Sequence, residues 1–263
     1  MDTFDLSGRV AVVTGAGGGL GAACATALAA AGASVICLDL DGAAAETTAA
    51  AIGGGGGRAE ARAVDVSRSA DLDAVAADAV DRLGRLDVWV NVAGVMRSSL
   101  VVDLTEADLD ALLAVNLKGV LFGSQAAARH MVPQGSGAIV NIASAIIDAP
   151  QPQMAAYGMS KAAVSHLSRT LALEVGRAGV RVNVVAPGWT RTGMTTGSLR
   201  TADGTVDEEA VAKTEQMQAR FTPLRRAAAP EDTAAAVVYL ASDSGAFVTG
   251  QTLRPHGGVT MPW

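Results

Sequence analysis

The run YGMSK (157–161) sets a phenol and an ammonium four residues apart. On a helix, positions i and i+4 share a face, so Tyr157 and Lys161 point into one space. Such a pair alone is commonly a surface tyrosine beside a lysine. Its weight comes from Ser144, at the end of GAIVNIAS (137–144), and Asn116, inside LLAVNLKGVLFG. A hydroxyl can donate to a substrate oxygen and polarise it, and asparagine is a poor helix former with little structural reason to sit mid-helix. Together these residues suit proton transfer at an alcohol or carbonyl oxygen. A free phenol titrates near about 10, too high for an efficient base at neutral pH. A neighbouring positive charge favours the phenolate and lowers that value.

The partner chemistry is suggested by TGAGGGLG (14–21), which follows the strand-like VAVVTG (10–15) and opens a helix. Residues without Cβ permit tight turning and close backbone approach to a pyrophosphate, and a helix start offers free N–H groups to the anion. The Gly15, Gly19, Gly21 spacing differs from the G-x-G-x-x-G fingerprint. As an isolated motif it could be a structural turn; between a strand and a helix it predicts a dinucleotide loop. Asp39, ending SVICLD (34–39), can accept hydrogen bonds from ribose hydroxyls and would repel the extra phosphate of NADP. Gly18 offers that phosphate no cation. Both favour NAD, hence hydride transfer. The bland alternative is a surface-turn carboxylate at Asp39 or Asp41.

These residues must be held by an alternation of short apolar strands and Ala-rich helices. Strands are expected at 10–15, 34–39, 61–66, 86–94, 137–144, 180–188 and 246–254. Helices are expected at 20–31, 43–52, 71–83, from 106–122 on to His130, and at 155–178, with a flexible glycine loop at 53–57. This predicts an α/β fold: one Rossmann-like, doubly wound parallel sheet of about seven strands with helices on both faces. One domain over 1–263 is expected, with residues 189–220 as an irregular lid over the site. Half the residues are hydrophobic and only 3% aromatic, so Ala, Val and Leu must fill the core. A net charge of −6 argues against nucleic acid or an anionic membrane as main partner. Cys24 and Cys37 have neither disulfide nor metal spacing, and the start lacks a signal peptide, so a cytoplasmic protein is expected. His130 and His166 lack ligand partners, and no metal site is predicted.

The 116–144–157–161 spacing, TGAGGGLG, NVAG (91–94) and PGWTRT (187–192) resemble the short-chain dehydrogenase/reductase family over essentially the whole chain. The resemblance implies an Asn116–Ser144–Tyr157–Lys161 tetrad. Lys161 would also hold the nicotinamide ribose, and Asn116 would position a water linking Lys161 to solvent. It puts Gly15, Gly18, Gly19 and Leu20 at the pyrophosphate, Asp65 and Val66 at the adenine, and Asn91, Ala93 and Gly94 along the adenosine. Pro187, Gly188, Thr190 and Thr192 would flank the nicotinamide. It further implies a homotetramer using the helices around 106–130 and 157–177. Two departures stand out. Val92 replaces the second Asn of N-N-A-G, and LRPHGG (253–258) stands where many relatives carry an apolar residue and then V-D-G-G; His256 reads as a surface-turn histidine, with a subunit interface or the pocket as alternatives. Val95, Met96, Ile146, Ile147, Met154, Trp189 and Met194 suggest pocket walls suited to an apolar or alicyclic secondary alcohol or ketone. Arg97, Arg191 and Arg200 keep a 3-oxoacyl thioester open as an alternative. A non-catalytic NAD(H)-binding regulator is disfavoured by the intact tetrad, and nucleotide-sugar chemistry by the short chain.

Overall fold

The computed structural model describes residues 3–197, 199–201 and 203–261. Among these, strands β1 (Val10–Thr14), β2 (Ser34–Asp39), β3 (Arg58–Ala63), β4 (Val88–Asn91), β5 (Gly137–Ile142), β6 (Val180–Val185) and β7 (Thr252–Leu253) form one sheet. All neighbours are parallel, in the order β3-β2-β1-β4-β5-β6-β7. The order reverses direction between β1 and β4, where the crevice above the strand ends forms.

Side-chain alternation sends successive residues of each strand to opposite faces. Ala11 and Val13, Val35 and Cys37, Val88 and Val90 join one core with helices α1 (Gly19–Ala30), α2 (Gly42–Gly54) and, late in the chain, Pro230–Ala241. Val10 and Val12, Ile36 and Leu38, and Trp89 join the other, with α3 (Ser69–Leu83) and the helices that follow β4 and β5. Both faces are thus covered, as the continuous apolar strands predict.

Several boundaries differ from expectation. β3 starts at Arg58 rather than 61, because the glycine run does not end in loose coil. Gly53 and Gly54 finish α2, and Gly56 turns left-handed (φ 85°) to launch the strand. β3 is the sheet edge, and Arg62 pairs there with Asp78 and Glu60 while Arg82 pairs with Glu60. Charge on an edge strand discourages pairing with other chains. The last strand is only Thr252–Leu253; residues before it leave the sheet plane through a turn at Asp243–Gly245 and a left-handed Gly250 (φ 70°).

The expected helix from 106 to 130 is real but not uniform. α4 (Glu106–Leu113) passes into a π-helical turn (Ala114–Gly119) and then α5 (Val120–Gln134). α6 spans Ala155–Val175. The segment 189–220 is not irregular: it holds a short α7 (Gly193–Thr196) and most of α8 (Glu208–Phe221). The Asp207 carboxylate caps α8 by accepting from Ala210 N, and Glu209 pairs with Lys213 one turn on. α9 (Pro230–Ala241) was assigned no element from sequence, although Pro at its first position and acids in its first turn are start signals.

α5 lies so close to the sheet that a Cβ at Gly123 would sit 2.2 Å from Asn91 Oδ1 and 2.7 Å from Trp89 Nε1. Those two atoms are hydrogen-bonded to each other at 2.8 Å in the buried interior. In an open helix Gly→Ala stabilises by about 1 kcal/mol. Here Gly123→Ala should instead destabilise by about 1–3 kcal/mol, read as a lower urea midpoint; an unchanged or higher midpoint would refute this packing.

Candidate active site

The glycine loop sits at the carboxyl end of β1. Gly15 adopts φ 69°, and a Cβ there would meet Ala93 N and Cα at 2.8 Å. A Cβ at Gly21 would lie 1.9 Å from the Gly15 carbonyl oxygen, so α1 packs directly on the loop. α1 starts at an extended Gly18 with no side-chain cap, leaving its first N–H groups to an incoming acceptor. Gly18 has open space where a Cβ would project. This cradle fits a dinucleotide pyrophosphate.

A cleft of about 310 Å³ runs along it, lined by Gly15, Gly18, Gly19, Leu20, Asp39, Ala93, Gly94, Thr192 and Met194 among others. The Asp39 carboxylate is fixed by Gly17 N at 2.9 Å and Asp41 N at 3.0 Å. Val92, the departure from N-N-A-G, also lines the cleft. The turn is held anyway, because Val92 N and Ala93 N both donate to Thr14 Oγ1, at 3.0 and 3.1 Å.

The cleft shares Leu20, Val92, Gly94, Thr192 and Met194 with a recess of about 80 Å³. Ser144, Tyr157, Lys161, Pro187, Gly188 and Thr190 all line that recess, together with Ile142, Ala143 and Thr195. Ser144 stands at the end of β5, and its Oγ accepts from Ile146 N at 3.3 Å. Tyr157 and Lys161 share a face of α6, with Nζ 5.7 Å from the phenol ring centroid. Lys161 is 3% exposed, and Nζ donates to Ile142 O at 2.9 Å.

Asn116 is fully buried in the π-helical turn. Its Oδ1 accepts from Val95 N at 2.8 Å, and its Nδ2 donates to Val95 O at 2.9 Å and to Ser160 Oγ at 3.3 Å. Ser160 in turn donates to Tyr157 O at 2.7 Å. Asn116 therefore braces the 91–95 segment against α6, with both amide hydrogens committed. A Cβ on Gly94 would lie 3.3 Å from Asn116 Oδ1 and 3.6 Å from Lys161 Nζ, so glycine there keeps the passage between them open.

The protonation picture differs from the expected lowering of the phenol. Burial raises Tyr157 above the ordinary tyrosine value, and Ser144 opposes it. Burial also pushes Lys161 down to about 8. The chain by itself thus destabilises both charged forms.

Some expected site residues do not line the cleft or the recess. Asn91 is buried, and its Nδ2 donates to Asn141 Oδ1 at 2.8 Å and Ser124 Oγ at 3.2 Å, so its side chain is spent inside the core. Asp65 accepts from Ser67 N and Oγ, and Val66 packs behind Gly119; neither lines the cleft or the recess. Ile146 is buried and faces Gly158 on α6; Met154 meets Ser98 through sulfur; Trp189 is half-buried. These three border the site without lining the recess. His256 is no surface histidine: it is 4% exposed and packs on Gly188. Thr14, Ser160 and Thr195 were not singled out from sequence. The serine inside YGMSK was the one available signal.

A family model described as enoyl-(acyl carrier protein) reductase matches residues 15–260. The chain belongs to the short-chain dehydrogenase/reductase family. It is 35% identical over 198 residues to a 3-oxoacyl-(acyl-carrier-protein) reductase of Thermotoga maritima, covering 75% of this chain and 76% of that one. A gluconate 5-dehydrogenase of Burkholderia cenocepacia, solved in complex with NADP and tartrate, superposes with a TM-score of 0.89 at 33% identity, covering 100% and 99%. A 7α-hydroxysteroid dehydrogenase complexed with NADH and 7-oxo glycochenodeoxycholic acid gives 0.87 at 34% identity, covering 96% and 94%. As a short-chain dehydrogenase/reductase, the chain is an oxidoreductase acting on CH–OH groups with a pyridine nucleotide as the expected cofactor.

Lys161 carries a testable cost. Its folded value of about 8 lies below the unfolded value of about 10.4. Between those values the unfolded chain binds more protons, so this group makes stability rise with pH across that window and subtracts most from it at neutral pH and below. Lys161→Met should therefore be at least as stable as wild type at pH 7 and lack the rise between pH 8 and 10. Urea midpoints measured across pH decide this; a variant much weaker at pH 7 would show that the ammonium is not a net burden.

Proposed function

We propose that the protein is an NAD(H)-dependent oxidoreductase interconverting a secondary alcohol and a ketone, with an apolar or alicyclic substrate. The observation that carries this reading is the convergence of Ser144, Tyr157 and Lys161 in one recess opening on the dinucleotide cleft. The nicotinamide, when bound, supplies or accepts the hydride and its positive charge favours the phenolate. Tyr157 passes the proton to or from the substrate oxygen, and Ser144 donates a hydrogen bond to that oxygen. Lys161 holds the nicotinamide ribose and, as an ammonium, favours phenolate. Asn116 holds Val95 and α6 in place and completes the route by which the Lys161 proton reaches solvent. Gly15, Gly18, Gly19, Leu20, Ala93, Gly94, Thr190 and Thr192 hold the dinucleotide.

The NAD preference is supported by Asp39 on the cleft wall and by its surroundings: Lys161 is the sole cation lining the cleft or recess among the described residues. The apolar substrate is supported by Leu20, Val92, Ile142 and Met194 on the recess walls and by the occupied state of the nearby arginines. Arg97 pairs with Asp108, Arg191 with Glu208, and Arg200 donates to Gly204 O, so a phosphorylated acyl carrier would have to displace a partner from each, and none of the three lines the cleft or the recess. Both thiols are buried and pushed up, Cys24 to about 12 and Cys37 to about 11, which fits a cytoplasmic setting without requiring it.

A panel of steroid, terpene, cyclic and 3-oxoacyl compounds assayed with NADH and NADPH tests this. Saturable turnover on cyclic ketones with NADH preferred is expected. Tyr157→Phe should still bind NADH while losing turnover by roughly a hundredfold or more. Activity confined to acyl thioesters would overturn the substrate reading, and undiminished turnover in Tyr157→Phe the mechanism. We also read the protein as a homotetramer built on α4–α5 and α6, where Met159 and Leu173 stand exposed on the outer face of α6. Light scattering should return four times the chain mass; a monomer would refute it.

A further inference from the structure

The carboxyl-terminal run Arg254–Pro255–His256–Gly257–Gly258 has no part in the proton or hydride chemistry, yet it packs on Gly188 in the recess wall and reaches the turn that follows Ser144. Arg254 leaves β7 with Nη1 donating to Thr252 O at 3.0 Å. Its Nε and Nη2 grip the two oxygens of Asp148, at 2.7 and 3.3 Å. The pair is set into the protein, with the Asp148 side chain 13% and that of Arg254 30% exposed. Asp148 closes the turn Ala145–Ile147 directly after Ser144, its N–H donating to Ala145 O at 3.0 Å. That turn supplies Ile146 N, the donor that orients Ser144 Oγ.

The contacts continue around the site. Ala145 N donates to Pro187 O at 2.8 Å. At the next residue, a Cβ on Gly188 would lie 2.9 Å from His256 Cβ, so His256 backs the 187–188 corner. Gly257 and Gly258 are both left-handed, φ 65° and 85°, and carry the chain across the foot of α8. Gly257 lies against Thr222 and Leu224, and Gly258 against Pro223. The turn after Ser144, the Pro187–Gly188 corner and the run from His256 back to Arg254 therefore form a closed ring of contacts, sealed by Arg254 on Asp148.

We propose that residues 254–258 are a strap that sets the recess, and that Arg254, acting through Asp148, is a positioning residue for Ser144. A hydroxyl that must meet a substrate oxygen has to be held within a fraction of an ångström. Releasing the turn at Asp148 releases the donor that orients that hydroxyl, and with it the wall at Ile146 and Ile147. The glycine loop and Asp39 lie outside the ring, so the pyrophosphate cradle and the adenosine end of the cleft stay intact. The kinetic part of this inference rests on the oxidoreductase reading above.

The test uses the full chain as wild type, Arg254→Gln, Asp148→Asn and the double variant. Three quantities are measured: kcat and KM on the best compound of the panel, NADH affinity by fluorescence, and amide hydrogen exchange without substrate. Each single variant should lose roughly tenfold or more in kcat, with NADH affinity within about twofold of wild type. Exchange should quicken at 145–149 and 187–188 but not in β1 or α1. Because the pair acts as one unit, the double variant should be no worse than either single. Unchanged exchange at 145–149 overturns the strap, as does a loss that is multiplicative in the double variant or spread evenly over the chain. Exchange needs no substrate: a wild type inactive on every compound would sink the oxidoreductase reading and leave the strap to be decided by exchange alone.

Discussion

A buried ammonium organises this molecule. Lys161 is taken out of water at a cost that its one carbonyl partner, Ile142 O, offsets only in part, and burial depresses its basicity accordingly. Keeping a charge there demands that everything around it be placed with care. The end of β5 must present a free carbonyl, α6 must lie across that strand, and Gly94 keeps the space beside Asn116 Oδ1, where a Cβ would lie 3.3 Å away. The Tyr157 phenol, one helical turn earlier, lines the same recess and is raised by its own burial. Both groups are poised by burial to respond to a charge arriving beside them, as groups in a water-exposed cleft would not be.

The rest of the fold serves that placement through close approach. The glycine loop, Gly21 on α1 and Gly123 on α5 let backbone come nearer to backbone or buried amide than any side chain would permit. Beneath the site a polar seam runs through the apolar core. Trp89 donates to Asn91, Asn91 to Asn141, and Asn141 to Ser168, tying β4 and β5 to α6. Each donor atom named in that seam has an acceptor, so the seam fixes register between sheet and helix.

Much of this was legible in the sequence, for reasons that differ residue by residue. Apolar runs such as 10–14 and 137–142 report a sheet covered on both faces, because only burial on both sides tolerates them. Tyr157 and Lys161 were readable since helical periodicity alone puts them together. Other features depend on partners distant in sequence. Asn91 looks like a cofactor contact until Trp89 and Asn141 claim its amide. His256 looks like a turn residue until Gly188 is found against it. β3 was misplaced because a charged edge strand lacks the apolar signature of its neighbours, and α2 was cut short because glycine is a weak but not absolute helix stop. The α8 helix was hidden by its composition, because a mostly charged and polar run buries Val211 alone.

The π-helical turn at Ala114–Gly119 has a consequence for how the chain can change over time. Such a turn holds one more residue than an α-helix would need for the same rise. Removing a single residue from it would restore ordinary winding, leaving α4 and α5 nearly in their present relation while closing the widened turn that carries Asn116. Gly123 would still face the sheet, but Asn116 would lose the bulged backbone from which it now meets both Val95 and Ser160. A lone deletion here would therefore spare the packing of both helices and fall on the site alone.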